Sequence, residues 1–131
     1  MATVRELRPT EWELAVLGVV WARGPCTVRR VHEALAGRGV GYTTTLKIMQ
    51  IMAAKGLVTR DESRQSHVYA AAVRREPTQR RLLRDVLDRA FGGSAGKLVM
   101  AALAAGEISG EELKEIRRLL KDKGTANERV R

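Results

Sequence analysis

Apolar residues recur at helical spacing in two stretches near the start of the chain. The first follows Thr10-Glu11-Trp12-Glu13, a capping box in which a hydroxyl and a carboxylate bind free N–H groups of the first turn. It ends at Arg23-Gly24-Pro25, where glycine and proline stop a helix. The second follows Thr27, whose hydroxyl can act as the N-cap, and ends at the glycine-rich turn 37–41. The pattern therefore predicts two helices before residue 41.

A third helical stretch, residues 41–58, is the one around which the N-terminal half is organised. Threonines occupy residues 43–45 near its start, and we expect them to cap the first turn. Its end at Lys55 and Gly56 combines a cation in the last turn with glycine at the C-terminal cap. Two helices joined by a short glycine-containing turn form the helix-turn-helix arrangement of DNA-binding proteins.

One face of this third helix is polar and has no acidic group. Its members are Thr43, Thr44, Lys47, Gln50 and Ile51. A solvated helix face usually mixes glutamate with lysine, whereas a face that excludes negative charge suits DNA. Threonine and glutamine can reach base edges, and lysine can reach a phosphate or a guanine. An ordinary polar helix face is the alternative that this helix alone leaves open.

Two short runs of alternating polarity, residues 57–60 and 67–70, flank the polar loop 61–66. This pattern predicts a β-hairpin. Three helices followed by a hairpin are typical of a winged helix, in which the loop is the wing. Arg64, near the tip of the loop, is then a candidate for contact with a minor groove or a phosphate.

The C-terminal part predicts three helices that are too short to form a good core alone. The first begins at Glu76-Pro77 and ends at Gly92-Gly93, the second follows Ser94, and the third opens with a capping box over residues 109–112. Because their apolar stripes are leucine-rich, we expect a second chain to cover them in a symmetric dimer. Packing back onto the winged helix in a monomer is the alternative. The candidate dimerisation residues are Leu83, Val86, Leu87, Phe91, Leu98, Leu103, Leu113, Ile116 and Leu120.

These elements predict a mainly α fold. It consists of an N-terminal winged helix-turn-helix with a small β-hairpin wing, followed by a three-helix C-terminal dimerisation arm. We place the winged-helix DNA-binding domain at residues 1–73, the helical dimerisation region at 74–123 and a frayed charged tail at 124–131. A chain of 131 residues with 44% apolar content is long enough for a compact domain and an association arm.

Composition narrows the classes of function. Residues 1–72 carry ten Lys and Arg against six Asp and Glu, and the whole chain has a net charge of +9, which favours a nucleic-acid partner. One cysteine, Cys26, and two distant histidines, His32 and His67, form no metal cluster or catalytic set. We therefore expect no metal, no cofactor and no enzymatic activity. Without a long apolar run or a signal-peptide core, we expect no membrane insertion and a cytoplasmic location.

Several short pieces of sequence, in a fixed order over about residues 7–120, carry a family resemblance. In the N-terminal half they are Leu7-x-Pro-Thr-Glu-Trp-Glu, Val19-Val-Trp-Ala-Arg-Gly-Pro, Thr27-Val-Arg-x-Val, Tyr42-Thr-Thr and Lys55-Gly-Leu-Val. Then follow Ser63-Arg64, His67-Val-Tyr69, Phe91-Gly-Gly-Ser-Ala and Ile108-Ser-x-Glu-Glu-Leu. Together they resemble the penicillinase-repressor family of bacterial transcription regulators (BlaI/MecI type). Each piece is weak alone, whereas the ordered set is specific.

The resemblance implies a homodimeric winged-helix repressor that covers a palindromic operator, with the C-terminal helices as the dimer arm. In relatives, release often follows cleavage within the arm after a membrane sensor detects a β-lactam, so a sensor-linked protease is an implied partner. The Asn-Phe pair at which β-lactamase repressors are cut is absent here, because residues 98–103 read Leu-Val-Met-Ala-Ala-Leu. The cysteine cluster of copper-responsive relatives is also absent, and Ile51 stands where many relatives have arginine.

The sequence therefore favours a sequence-specific transcriptional repressor that binds a double-stranded DNA operator as a homodimer, in a β-lactam-resistance or related stress regulon. The residues expected to read bases in the major groove are Thr43, Thr44, Lys47 and Gln50. Those expected to contact the backbone, or the groove from the wing, are Thr27, Arg29, Arg30 and Arg64. Two alternatives are a winged-helix module that docks an acidic protein and a general chromosome-coating protein without a specific operator.

Overall fold

The computed structural model describes residues 9–130, with side chains for residues 9–124. Residues 1–8 of the predicted winged-helix domain and residue 131 of the predicted tail lie outside the described residues. The chain divides into two compact units, Met1–Arg80 and Arg81–Arg131, which we call the first and the second unit. The first unit extends a few residues beyond the domain boundary that we placed after residue 73.

The first unit is a winged helix, as the sequence predicts. Its elements before the fourth helix are α1 (Glu11–Arg23), β1 (Cys26–Thr27), α2 (Val28–Ala34), a 3-10 turn (Ala36–Arg38), α3 (Tyr42–Lys55), β2 (Val58–Asp61) and β3 (Val68–Ala71). Helices α2 and α3 form the helix-turn-helix pair, and the β2–β3 hairpin carries the wing. The predicted mainly α fold with a small hairpin is confirmed.

Local capping signals determine where these helices begin and end. The Thr10 hydroxyl accepts from the Glu13 N–H at 3.2 Å while the Glu13 carboxylate accepts from the Thr10 N–H at 2.8 Å, which confirms the capping box. The Thr27 hydroxyl accepts from the Arg30 N–H at 3.2 Å and caps α2. Gly56, at a φ of 84°, ends α3 in the left-handed conformation that glycine adopts without strain.

The three strands form one antiparallel sheet in the order β1-β3-β2. Arg60 pairs with Tyr69 within the hairpin, and Thr27 pairs with Val68 between β1 and β3. The hairpin strands begin one residue later than the sequence predicts. Strand β1 adds a connection that the hairpin prediction did not contain, because it fastens the wing to the start of α2.

The core of the first unit is aliphatic and encloses one aromatic ring. Its buried members are Val16, Leu17, Val20, Cys26, Val28, Val31, Met49, Met52, Leu57, Val58 and Tyr69. Half-buried Trp21 lies at the edge of this cluster and donates its indole N–H to the Val73 carbonyl at 3.0 Å. Helices α1 to α3 and all three strands contribute to the cluster, so the core side of α3 is packed against the rest of the unit.

An ion pair between buried Glu13 and partly exposed Lys55 ties α3 to α1. Glu13 is only 3% exposed, and its two carboxylate oxygens accept hydrogen bonds from Lys55 Nζ at 2.8 and 2.9 Å. Burial raises the pKa of the Glu13 carboxyl, but hydrogen bonds from Lys55 and from the Thr10 backbone outweigh it. The pKa is therefore lowered from its ordinary value of 4.5, and Glu13 is ionised at neutral pH.

The second unit is helical throughout the residues described. Helix α4 (Arg75–Ala90) begins in the first unit, and α5 (Ala95–Ala104) and α6 (Gly110–Val130) follow. The predicted caps are present: Ser94 Oγ accepts from the Lys97 N–H, and Ser109 and Glu112 form a reciprocal capping box. Helix α6 includes most of the stretch 124–131 that we expected to be a frayed tail.

The described part of the chain contains neither a candidate membrane span nor a candidate metal site. No helix there is both long enough and apolar enough to cross a membrane. No cluster of histidine, cysteine, aspartate or glutamate there has the arrangement needed to hold a metal ion.

Candidate nucleic-acid interface

The start of α3 differs from the prediction that its threonines act as caps. The N-cap is Gly41, and no side chain caps the first turn. The helix begins at Tyr42, so Thr43 and Thr44 lie inside its first turn, whereas Thr45 faces the core and is 3% exposed. The capping prediction is wrong because a capping hydroxyl must precede the first helical residue.

Thr45 instead holds the start of α3 in place. Its hydroxyl donates to the Gly41 carbonyl at 3.3 Å and lies 3.1 Å from His32 Nδ1 on α2. The His32 ring also meets the Tyr42 ring edge to face, with centroids 5.7 Å apart. His32 therefore has a structural role, connecting the two helices of the helix-turn-helix pair.

The face of α3 turned away from the core holds the four predicted base-reading residues. Thr43, Thr44, Lys47 and Gln50 are all exposed, as is their apolar neighbour Ile51. The core side of the same helix carries Thr45, Met49 and Met52. At about 100° per residue, Lys47 projects roughly 160° away from Met49. The structure thus presents these five side chains together on one surface, which we call the α3 face.

The α3 face carries one unneutralised cation. No carboxylate lies on it, and among the described residues none forms an ion pair with Lys47. Lysine and the polar threonine and glutamine groups can together bind phosphates and base edges in a major groove, which admits one α-helix. An ordinary solvated face would instead pair its lysine with an acidic neighbour one turn away.

The acidic residues of the wing are engaged within the hairpin. Asp61 accepts from the Ser63 N–H at 2.9 Å, and its pKa is lowered by hydrogen bonds from the Ser63 side chain and backbone, with a smaller contribution from Arg64. Glu62 forms an ion pair with Arg60. Arg64 is exposed in the loop between the strands. The wing therefore offers the Arg64 cation, while Glu62 is ion-paired with Arg60 and Asp61 is hydrogen-bonded to Ser63 within the hairpin.

Arg60 extends this network to the core. It lies opposite Tyr69 in the ladder, and contact with the Tyr69 hydroxyl, followed by the charge of Glu62, raises the pKa of Arg60. The contact does not reach standard hydrogen-bond geometry, and the buried Tyr69 hydroxyl has no hydrogen-bond partner among the described residues. Arg60, on strand β2, is therefore engaged by its neighbours in the hairpin, whereas Arg64 lies in the wing loop.

A polar cavity of about 350 Å³ lies between the start of α2, the start of α3 and the wing. Its lining residues are Thr27, Val28, Arg29, Tyr42, Leu46, Gln65, Ser66, His67 and Tyr69. No carboxylate lines it, whereas a guanidinium, hydroxyls, an amide and an imidazole do. Two predicted backbone-contacting residues, Thr27 and Arg29, are therefore brought together here, while exposed Arg30 does not line the cavity.

Sequence reasoning did not assign Tyr42, Gln65, Ser66 or His67 to this site. Tyr42 reaches it as the first residue of α3. The three wing residues reach it because β1 pairs with β3, which sets Thr27 opposite Val68 and so brings the end of the wing loop beside α2. Two-residue β1 reads in the sequence only as a short extended piece. The alternating pattern predicts residues 65 and 66 at the end of the loop and His67 at the start of the second strand, but it does not predict what they face.

The apolar stripes of the second unit remain largely open to solvent. Among the predicted dimerisation residues, Leu83, Val86, Leu103 and Leu120 are exposed, and Phe91, Leu98, Leu113 and Ile116 are half-buried. Leu87 differs from the others, since it is only 5% exposed within the single chain. Val99, Met100 and Leu119 are exposed as well.

Comparison with known proteins agrees with this architecture. The family model described as Penicillinase repressor matches residues 9–122. Two similar proteins, each named Transcriptional regulator BlaI, come from Mycobacterium tuberculosis strains CDC 1551 / Oshkosh and ATCC 25618 / H37Rv. Each is 33% identical over 110 residues, which cover 82% of this chain and 79% of the relative.

Proposed function

Because this chain belongs to the penicillinase repressor family, we propose that it is a transcriptional repressor that binds a palindromic DNA operator as a homodimer. The family is one of repressors and the relatives are transcriptional regulators, so the chain is not an enzyme. The observation that carries the proposal is the α3 face, the exposed and non-acidic side of a helix whose opposite side is packed in the core of a winged helix.

In this proposal α3 enters the major groove. Thr43, Thr44, Lys47 and Gln50 contact base edges, and a well-placed contact of this kind contributes about 1–3 kcal/mol of discrimination between bases. The contacts that hold α3 in place support the assignment, since the Glu13–Lys55 ion pair and the Thr45 hydrogen bonds anchor its two ends. Side chains on a rigid helix read bases without an ordering cost for the backbone.

The backbone contacts flank that helix. Arg29, Arg30 and the Thr27 hydroxyl lie at the start of α2, and Arg64 lies on the wing. The cavity between these elements has donor groups and no carboxylate, which suits a phosphate that passes between α2 and the wing. Such contacts strengthen binding to every duplex alike and depend strongly on salt.

The open apolar stripes of the second unit support the homodimer. A second copy would cover Leu83, Val86, Leu103 and Leu120, with Phe91, Leu98, Leu113 and Ile116 at the edges of the same stripes. Because Leu87 is already buried within one chain, it would pack beneath the interface residues and would not itself contact the second copy. Two α3 faces related by a two-fold axis then match a palindromic operator.

Control of the repressor is proposed from its family. A β-lactam-resistance or related stress regulon, and release by a sensor-linked protease in the cytoplasm, follow from the family. The Asn-Phe pair at which β-lactamase repressors are cut has no counterpart in residues 98–103, which lie within α5. A protease that cuts there must recognise another sequence, and the helix must open locally before cleavage.

A selection of bound duplexes from a random pool tests the operator. It is done at about 150 mM salt, where non-specific binding is already weakened. We expect enrichment of a palindrome whose half-sites lie about one helical turn apart. Enrichment of no sequence, with binding that only follows salt, would favour the chromosome-coating alternative. A flat preference together with capture of an acidic protein would favour the docking module.

Substitution of Lys47 tests the α3 face. Lys47→Ala should reduce the preference for the selected duplex over a scrambled one by about tenfold or more, because a base contact is lost. Lys97→Ala, which removes the same charge from an exposed position on α5, is the matched control and should leave the preference unchanged. Equal preference in both variants and the parent would show that the α3 face does not read bases.

A further inference from the structure

Ile51 is an apolar side chain on an otherwise polar surface. It is 44% exposed, and Tyr42 at 46% is the other exposed large apolar residue between residues 9 and 80. Both lie on α3, whereas the rest of the winged helix buries its large apolar side chains at least in part. Single exposed apolar residues are common on proteins, but here they are confined to the helix proposed to read DNA.

Helical geometry fixes where Ile51 points. It lies one turn after Lys47 and two turns after Thr44, so the three side chains project from the same side of α3. Its neighbour Met52 is completely buried in the core, as is Met49 one turn earlier. Ile51 cannot turn inward without unwinding the helix, so a duplex that lies along the α3 face meets Ile51 as well as Lys47.

The major groove contains one apolar group that such a side chain can recognise. This group is the C5-methyl of thymine, since the other groups that distinguish the bases in this groove are hydrogen-bond donors or acceptors. Isoleucine offers neither, and it cannot bind a phosphate. We propose that Ile51 packs against a thymine methyl in each operator half-site and makes that base pair specific. The inference rests on the proposed function, because it requires α3 in the major groove.

The test removes the methyl group and nothing else. Each thymine of the selected operator is replaced in turn by deoxyuridine, and dissociation constants are measured for the parent protein and Ile51→Ala. For the parent, we expect one thymine in each half-site whose replacement weakens binding about three- to fivefold, as for a buried methyl group. Ile51→Ala should bind the thymine and uracil duplexes equally well at that position.

A neighbouring residue provides the control. Gln50→Ala alters the same face of α3 but keeps Ile51, so its overall affinity should fall while its thymine-to-uracil ratio stays that of the parent. Ile51→Val, which keeps a branched apolar side chain, should retain part of the ratio. Circular dichroism and thermal unfolding establish that the variants keep the parent's fold, which the exposure of residue 51 favours.

The outcomes separate this inference from the proposed function. A selected operator with no thymine whose effect depends on residue 51 would overturn the thymine contact alone and leave the repressor standing. A uniform loss of affinity in Ile51→Ala, with unchanged thymine-to-uracil ratios, would do the same. If no duplex is enriched in the selection, the proposed function fails and the inference fails with it.

Discussion

The two units of this chain treat their apolar side chains in opposite ways. The first unit buries eleven residues in one cluster and, between residues 9 and 80, exposes large apolar side chains only on α3. In the second unit, Leu87 is the one buried apolar residue among residues 81–124, and seven large apolar side chains are exposed. The first unit therefore completes its core within one chain, whereas the second leaves apolar stripes exposed, as the proposed association arm requires.

The largest expected effect comes from the core of the first unit. Leu17→Ala should lower the free energy of unfolding by about 3 kcal/mol, because it opens a cavity where the parent side chain is completely buried. Ile51→Ala, on the exposed face of the same unit, should lower it by less than about 1 kcal/mol. Chemical denaturation measures both. Equal losses would mean that this cluster does not determine the stability of the unit.

The next effect concerns the open surface of the second unit. Leu103→Glu should weaken self-association by about ten- to a hundredfold, because a charge replaces an apolar side chain in the proposed interface. Ala101→Glu adds the same charge to α5, roughly 160° around the helix from Leu103, and should change association far less. Sedimentation equilibrium gives the constants. A parent protein that stays monomeric would contradict the dimer.

The Glu13–Lys55 ion pair, whose carboxylate is buried, predicts a dependence of stability on pH. The folded-state pKa of Glu13 lies below 4.5, so its stabilisation is present above the unfolded-state value and is lost as the pH falls through the folded-state value. Glu13→Gln should therefore cost about 1–2 kcal/mol at neutral pH. The difference from the parent should narrow as the pH falls below 4.5.

Urea unfolding from about pH 7 to about pH 3 provides the measurement for this pair. Glu33→Gln, at an exposed position on α2, is the control and should follow the parent at each pH. A constant difference between Glu13→Gln and the parent over the whole range would show that ionisation of Glu13 does not stabilise the fold.

The smallest effect belongs to the wing. Arg64→Ala should weaken binding to all duplexes by about two- to fivefold and reduce the salt slope by about one, because one phosphate contact is lost. Arg117→Ala removes the same charge at an exposed position on α6, outside the proposed DNA-binding surface, and is the control. The two variants are compared at several salt concentrations. A change of sequence preference in Arg64→Ala would assign the wing to base reading instead.

Most of the fold was predictable because its signals are local. The Thr10–Glu13 and Ser109–Glu112 capping boxes lie within four residues, and each marks a helix start that the structure contains. The start of α3 was misplaced for the same kind of reason. Three successive threonines have the composition of a cap, but Gly41 is the N-cap, and the last threonine, Thr45, faces inward and contacts His32.

The parts of the candidate site that depend on distant residues were not predictable. The helical spacing of residues is enough to distinguish exposed Lys47 from buried Met49, so the sequence predicts which side chains form the exposed α3 face. The base-reading role of that face stays a prediction. The cavity depends on the pairing of Thr27 with Val68, and the anchor of α3 depends on Glu13 and Lys55, which are 42 residues apart. No local pattern encodes such pairings.

The anchoring of α3 also bears on how such a protein can diverge. Its two ends are held by Glu13 and Lys55 on one side and by His32 and Thr45 on the other, and none of these four lies on the α3 face. Side chains on that face can therefore be exchanged during evolution at little cost to the framework. Under the proposed function, descendants of one such chain would acquire new target sites one residue at a time, while their backbone geometry is inherited unchanged.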